Sequence, residues 1–237
     1  MNKTVCEARG EKMSDSNDKQ VQRGVIVELD FAVLPGHKLL LAISKELFAK
    51  AGLTVDATLM ARYMGGKSFS SGLNALTTKQ AKTIDAPALI AETNIAFSAA
   101  LTQSLKDIPS DFVPFIEALL AKGVKVIIIS RADVEAVKTL FPNPSEHLVF
   151  QTDTSSGFGF LGWDVWRRAA RKNNLRERLC VAVVGSGFSV KGALTSSMGS
   201  VFKENPLTAH QDFSGGDLSI QAFDKALVKD IVAMLRV

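Results

Sequence analysis

Three short runs of this chain are apolar almost from end to end: Gly24-Val-Ile-Val-Glu-Leu-Asp30, Val124–Ile129 and Leu179–Val184. Runs of this length, rich in Val and Ile, read as strands buried on both faces. Helical patterns lie between them. Strands with no polar face imply a parallel sheet covered by helices on both sides. Right-handed crossovers then give a doubly wound α/β fold. Such sheets bind their ligands beyond the carboxyl ends of the strands.

The elements are spread unevenly. Residues 1–23 are polar and charged and are expected to form a flexible leader, with Met13 an alternative start. Residues 24–36 and 107–237 hold the strands and constitute the expected core domain. Between them, residues 37–106 show helical spacing alone. Leu39, Leu40, Ile43, Leu47 and Phe48 share one helix face, Gly52 stops that helix, and further helical patterns follow over 59–64, 72–76 and 86–105. This segment reads as a small helical domain inserted after the first strand. Downstream, Ser110 is the expected N-cap of a helix that Gly123 ends. Helices are expected over 133–140, 163–173 and 191–197, and strands over 147–151 and 200–202. An amphipathic helix over 220–235, capped by Ser219, closes the chain.

Composition narrows the function. A chain of 237 residues that is 46% hydrophobic buries one sizeable core with material for a small second domain. The net charge of +4 is mild, and nucleic-acid binders concentrate charge more strongly, so a nucleic-acid partner is not expected. Two cysteines, Cys6 and Cys180, are too few for a disulfide framework. No Cys or His pair has zinc-ligand spacing. Residues 1–23 lack the apolar core of a secretory signal, and no stretch approaches the ~18 apolar residues of a membrane span. The expectation is a cytoplasmic protein, monomeric or a homodimer, with no membrane partner.

Three strand ends carry the chemistry. The first ends in Glu28-Leu29-Asp30, the second in Ser130 with Arg131 behind it, and the fourth in Gly185-Ser186-Gly187-Phe188-Ser189. With the helical insertion, and with the helix, Lys-Gly turn and apolar strand of Ile108–Ser130, this order resembles the haloacid dehalogenase-like (HAD-like) phosphohydrolase superfamily. The branch it resembles carries a helical cap after the first strand. The resemblance covers residues 24–237 and rests on the order of the motifs. It implies a Rossmannoid core with residues 37–106 as cap, a small phosphorylated or other anionic ligand, and Mg²⁺ in active members.

In that branch the first strand ends Asp-x-Asp-x-Thr, the second in Ser or Thr, a Lys follows, and the last motif is Gly-Asp-Ser followed by another Asp. The resemblance makes the first carboxylate the nucleophile toward phosphorus and the second, two residues on, the acid/base. The hydroxyl holds phosphate at a helix start. The Lys balances charge, and the last carboxylates hold Mg²⁺ through oxygen. Carried over, the nucleophile position is Glu28, whose oxygens sit about 1.5 Å further out than those of Asp. A misplacement of ~1 Å can cost on the order of a hundredfold in rate. Asp30 fits the acid/base position, and Ser130 with Arg131 fits the phosphate position. The Thr position is Ala32, which lacks the hydroxyl. Aligning Trp163-Asp164 with the family's Pro-Asp puts Phe160 at the lysine position, with Lys172 and Lys191 as cations that could reach in. The metal carboxylates become Ser186 and Val190, with Asp153 and Asp164 as nearby acidic alternatives. Glu28 and Asp30 are the residual metal candidates.

The expected function is therefore a HAD-like protein with lost or much reduced phosphatase activity, its cleft kept for ligand binding or regulation. The alternatives are an active phosphomonoesterase using Glu28 and Asp30, and a protein-interaction module. Three further features bear on the choice. Gly65-Gly66-Lys67 in the insertion is either a substrate-facing loop or a plain inter-helix turn, and it lacks P-loop spacing. Residues 155–162, with Phe158 and Phe160, fill the pocket, bind an apolar ligand or form a partner contact, the first being the leading expectation. The basic run 163–178 is either an anion-binding surface or a solvated helix with Trp163 and Trp166 turned inward.

Overall fold

The computed structural model describes residues 22–153 and 159–235. Six strands form a parallel sheet: β1 (Gly24–Glu28), β2 (Lys125–Ser130), β3 (Leu148–Thr152), β4 (Cys180–Val184), β5 (Gly199–Phe202) and β6 (Leu218–Ser219). Their order is β3-β2-β1-β4-β5-β6. Nine α-helices are described: α1 (Gly36–Lys50), α2 (Ala57–Leu59), α3 (Phe69–Gln80), α4 (Ala86–Ser104), α5 (Phe112–Leu120), α6 (Val134–Lys138), α7 (Trp163–Lys172), α8 (Gly187–Thr195) and α9 (Lys225–Met234).

Strand periodicity sorts the core into two layers. Val25, Val27, Val126, Ile128, Val181 and Val183 face α5 and α9. Ile26, Ile127, Ile129, Ala182 and Val184 face α7 and α8, where Trp166 is wholly buried. The fold is thus a doubly wound α/β sheet. The chain between β1 and β2 holds helices only, with α1 packed on α4. Strand order reverses at β1, so the crevice between the carboxyl ends of β1 and β4 is the switch point of the sheet.

Several boundaries differ from the sequence expectation, each for a local reason. β1 ends at Glu28, because the chain coils into a one-turn π-helix, Leu29–Val33, closed by Leu34 N–H on the Leu29 carbonyl at 2.9 Å. Asp30 therefore leaves the strand, and the alternation that would place it on the same face as Glu28 no longer applies. Ser110 does not cap α5. Asp111 precedes that helix, and its carboxylate accepts instead from Phe223 N–H at 2.8 Å. α8 starts at Gly187, a turn earlier than expected, because Ser186 Oγ accepts from Ser189 N–H at 3.1 Å. The last helix starts at Lys225 with Asp224 as its cap, not at Ile220 with Ser219. Ser219 belongs to β6, and Ile220 N–H bonds the Phe202 carbonyl at 2.9 Å, so the sheet claims these residues first.

Among the described residues no helix is long and apolar enough to cross a membrane. The expected leader up to residue 21, including Cys6 and Met13, and Ser155–Phe158 of the Gly-Phe segment lie outside the described residues.

Candidate functional site

The π-turn after β1 sends Glu28 and Asp30 to opposite neighbours. Asp30 turns toward β2. Its Oδ1 accepts from Ser130 Oγ at 2.5 Å, and its Oδ2 accepts from Arg131 N–H at 3.0 Å. Ser130 Oγ in turn accepts from Ala132 N–H at 2.9 Å. The expected phosphate donors are thus engaged by the protein's own carboxylate. Burial raises the Asp30 pKa, opposed by the Ser130 hydrogen bond and the Arg131 charge. Arg131 is itself buried, which lowers its pKa against the pull of Asp30, Asp153 and Glu28. Its guanidinium lies 5.6 Å from the Phe97 ring centroid, and its carbonyl accepts from Ser98 Oγ at 2.7 Å. Phe97 and Ser98 belong to α4, so the helical insertion sits directly on this flank.

Glu28 turns toward β4. Its Oε2 accepts from Gly185 N–H at 3.0 Å and its Oε1 from Ser189 Oγ at 2.9 Å. Ser189 Oγ also accepts from Leu161 N–H at 2.9 Å and from Ser186 Oγ at 3.0 Å, so its bonding capacity is used up. Glu28, Ser186 and Ser189 are all buried. Burial pushes the Glu28 carboxyl up to about 8, outweighing the two hydrogen bonds that favour the anion, and the nearby Asp30 charge adds to the rise.

The contact between the β1 and β4 turns explains the glycine at position 185. A Cβ there would stand 2.0 Å from the Phe31 carbonyl oxygen. Two residues that sequence reasoning missed complete this flank. His37 Nε2 donates to the Gly185 carbonyl at 3.1 Å, and burial pushes its imidazole down to about 4, so it is neutral. Gln211 Oε1 accepts from Gly187 N–H at 2.8 Å and so occupies the start of α8. The Ser186-x-x-Ser189 spacing was a readable capping signal. Nothing local marked His37 or Gln211.

The remaining candidates cover the site or lie away from it. Phe160 packs on Phe188, with ring centroids 5.8 Å apart. Phe188 in turn presses on Gly66, whose added Cβ would meet that ring at 2.5 Å, so the Gly65-Gly66 turn does face this region. Lys67 is exposed. Lys191 is bound to Asp212 at 3.0 Å, and Lys172 is exposed on α7, so neither stands in for a site lysine. Asp153 pairs with Arg168 at 3.1 Å, and Asp164 pairs with the same Arg168 at 3.3 Å. Ala32 and Val190 are buried among apolar side chains. One hollow between the insertion and the core, bordered by His37, Met60, Gly65 and His210, is about 40 Å³, and a second, bordered by Phe31, Ala32, Lys38, Leu41 and Lys203, is about 650 Å³.

No protein-family model matches the sequence, and no curated protein sequence matches it either. Solved structures do match in fold. The β-phosphoglucomutase of Clostridium difficile aligns with a TM-score of 0.70 at 13% identity, over 90% of this chain and 98% of that one. A HAD family hydrolase of Deinococcus radiodurans, with bound phosphate and sodium, aligns with a TM-score of 0.57 at 19% identity, over 90% and 96%. This chain has the HAD-like fold. CbbY of Rhodobacter sphaeroides, solved with phosphate, shares that HAD-like fold with a TM-score of 0.65 at 14% identity, over 86% of this chain and 96% of that one.

The Mg²⁺ implied by the HAD-like resemblance does not fit the residues present. A hard divalent cation needs several oxygen ligands, carboxylates above all. Here Glu28 is buried and accepts a hydrogen bond at each oxygen, from Gly185 N–H and Ser189 Oγ, while Ser186 and Val190 stand at the other carboxylate positions. Among the described residues, no group of three or more His, Cys, Asp or Glu side chains could hold a metal ion.

Proposed function

We propose that this chain is a non-catalytic member of the HAD-like hydrolases that acts by binding. In this reading residues 24–36 and 107–237 are the core domain, and residues 37–106 are a cap fixed in contact with it. The observation that carries the proposal is the state of Glu28. A nucleophilic carboxylate needs a free lone pair aimed at phosphorus and a nearby cation to offset like-charge repulsion. Glu28 is buried, its carboxyl is pushed up by that burial, and its two oxygens accept from Gly185 N–H and Ser189 Oγ. The donors that would grip a phosphate, Ser130 Oγ and Arg131 N–H, are spent on Asp30. Phe160, at the position the resemblance gives to a lysine, packs on Phe188 and brings no charge.

A hollow of about 650 Å³ beside the β1 turn, bordered by Phe31, Ala32, Lys38 and Lys203, supports a further point: the cleft is kept for ligand binding or regulation. The test is turnover of a simple aryl phosphate monoester with and without Mg²⁺, in the protein and in Asp30→Asn. The reading predicts no Mg²⁺-dependent turnover above background and no difference between the two proteins. Turnover that needs Mg²⁺ and vanishes in Asp30→Asn would establish the alternative, an active phosphomonoesterase with an altered site.

A further inference from the structure

Positive charge gathers on the edge of the sheet opposite Glu28, where the strands begin. Arg176 and Arg178 flank the turn that leads into β4, and both line two adjoining hollows. The first, of about 530 Å³, also takes in Arg167 and Arg171. The second, of about 770 Å³, reaches Arg23 and Lys122, at the starts of β1 and β2. Among the described residues Glu177 is the one acid lining either hollow, and it is bound to Arg171 at 2.8 Å. Neither Arg176 nor Arg178 has an ion pair among the described residues. Six cations against one acid exceed the net +4 of the whole chain, so the rest of the molecule is close to neutral. Composition hides this, because it averages over a surface that the fold makes asymmetric.

An aromatic ring adjoins the charge. The sequence leads one to expect both tryptophans of α7 turned inward, but only Trp166 is, and Trp163 is 50% exposed. The Arg167 guanidinium lies 5.0 Å from the Trp163 ring centroid. Trp163, Arg167 and Arg171 are spaced i, i+4, i+8, so they form one stripe down the helix, about 12 Å long. The stripe leads from an exposed π-face into the arginine-lined hollows.

We propose that this surface binds a single strand of nucleic acid, with a base stacked on Trp163 and successive phosphates against Arg171, Arg176 and Arg178. Arginines serve any polyanion, but the ring beside them adds what a base requires. A duplex is disfavoured because the surface is concave and presents no helix or ribbon to enter a groove. The proposal concerns the stripe from Trp163 to the arginines where the strands begin, and stands or falls independently of the loss of phosphatase activity.

The experiment is titration of the full chain with a short labelled oligouridine, read by anisotropy and by tryptophan fluorescence. Because Trp166 is buried, quenching reports Trp163 in the unaltered protein and needs no variant. Expected are saturable binding, quenching, and a log–log salt slope of about −2, for three neutralised phosphates. Arg176→Glu with Arg178→Glu weakens binding at least about tenfold. Trp163→Ala weakens it about tenfold while Trp163→Phe retains most of it. Lys79→Glu, on α3, changes nothing. Absence of saturable binding at low salt overturns the proposal. So does a generic polyanion surface, recognised by polyglutamate competing as well as oligouridine with neither quenching nor any effect of Trp163→Ala.

Discussion

The two flanks of β1 meet at one edge of the sheet and hold their carboxylates in different ways. On the β2 flank, Asp30 is gripped by a hydroxyl, a backbone N–H and the field of the buried Arg131. On the β4 flank, Glu28 is held by a backbone N–H and a serine inside a network of neutral groups. One flank keeps the residue types of an anion site and turns them on an internal carboxylate. The other is a hydrogen-bonded network of Glu28, Ser186 and Ser189. Its buried polar groups are paired with one another, because an unsatisfied buried group is costly.

The largest difference should appear when each flank loses its main group. Asp30→Ala leaves the buried Ser130 hydroxyl and Arg131 N–H without their acceptor and removes the field of Asp30 on Arg131, and should cost about 3–5 kcal/mol in denaturant unfolding. If it costs no more than Ser189→Ala, the β2 flank is not ionic in the sense described.

The second effect is pH dependence. The folded state raises the Glu28 pKa from 4.5 to about 8, so between those values it binds more protons than the unfolded chain. Its contribution to stability is thus fully present below the unfolded pKa and is lost as pH rises through about 8. Within this window stability should fall by about 1.4 kcal/mol per pH unit. Glu28→Gln should flatten the profile, and equal slopes in thermal melts of the two proteins would mean that Glu28 is ionised throughout.

A smaller effect is expected for Ser189→Ala, which removes the acceptor of Leu161 N–H and the donor to Glu28. It should cost about 2 kcal/mol and draw the Glu28 titration further upward. Smallest is Ser98→Ala, which loses the α4 bond to the Arg131 carbonyl. About 1 kcal/mol is expected, measurable as faster amide exchange in α4 with little change elsewhere.

Much of this fold was legible from the chain. The apolar runs at 24–30, 124–129 and 179–184 mark three of the strands to within two residues, because strands buried on both faces have a simple pattern. The order of strand ends led to Glu28, Asp30, Ser130 and Ser186. Their partners were not legible. The π-turn at 29–33 separates Glu28 from Asp30, and no local composition announces it. The closures by Gln211 on Gly187 and by His37 on Gly185 join residues distant in sequence, through tertiary packing alone. Trp163 was misplaced because helical spacing assigns a face to a residue, whereas exposure at a helix start depends on what the preceding segment covers.

The central claim is that the β4 flank is closed to a cation. Its most direct test is a crystal soaked with millimolar Mg²⁺ and a phosphate analogue, with Mg²⁺ binding measured calorimetrically on the same protein. The account predicts no heat of binding and unchanged bonds from Gly185 and Ser189 to Glu28. A cation ligated by Glu28 beside Ser186, with Ser189 turned away, would contradict it.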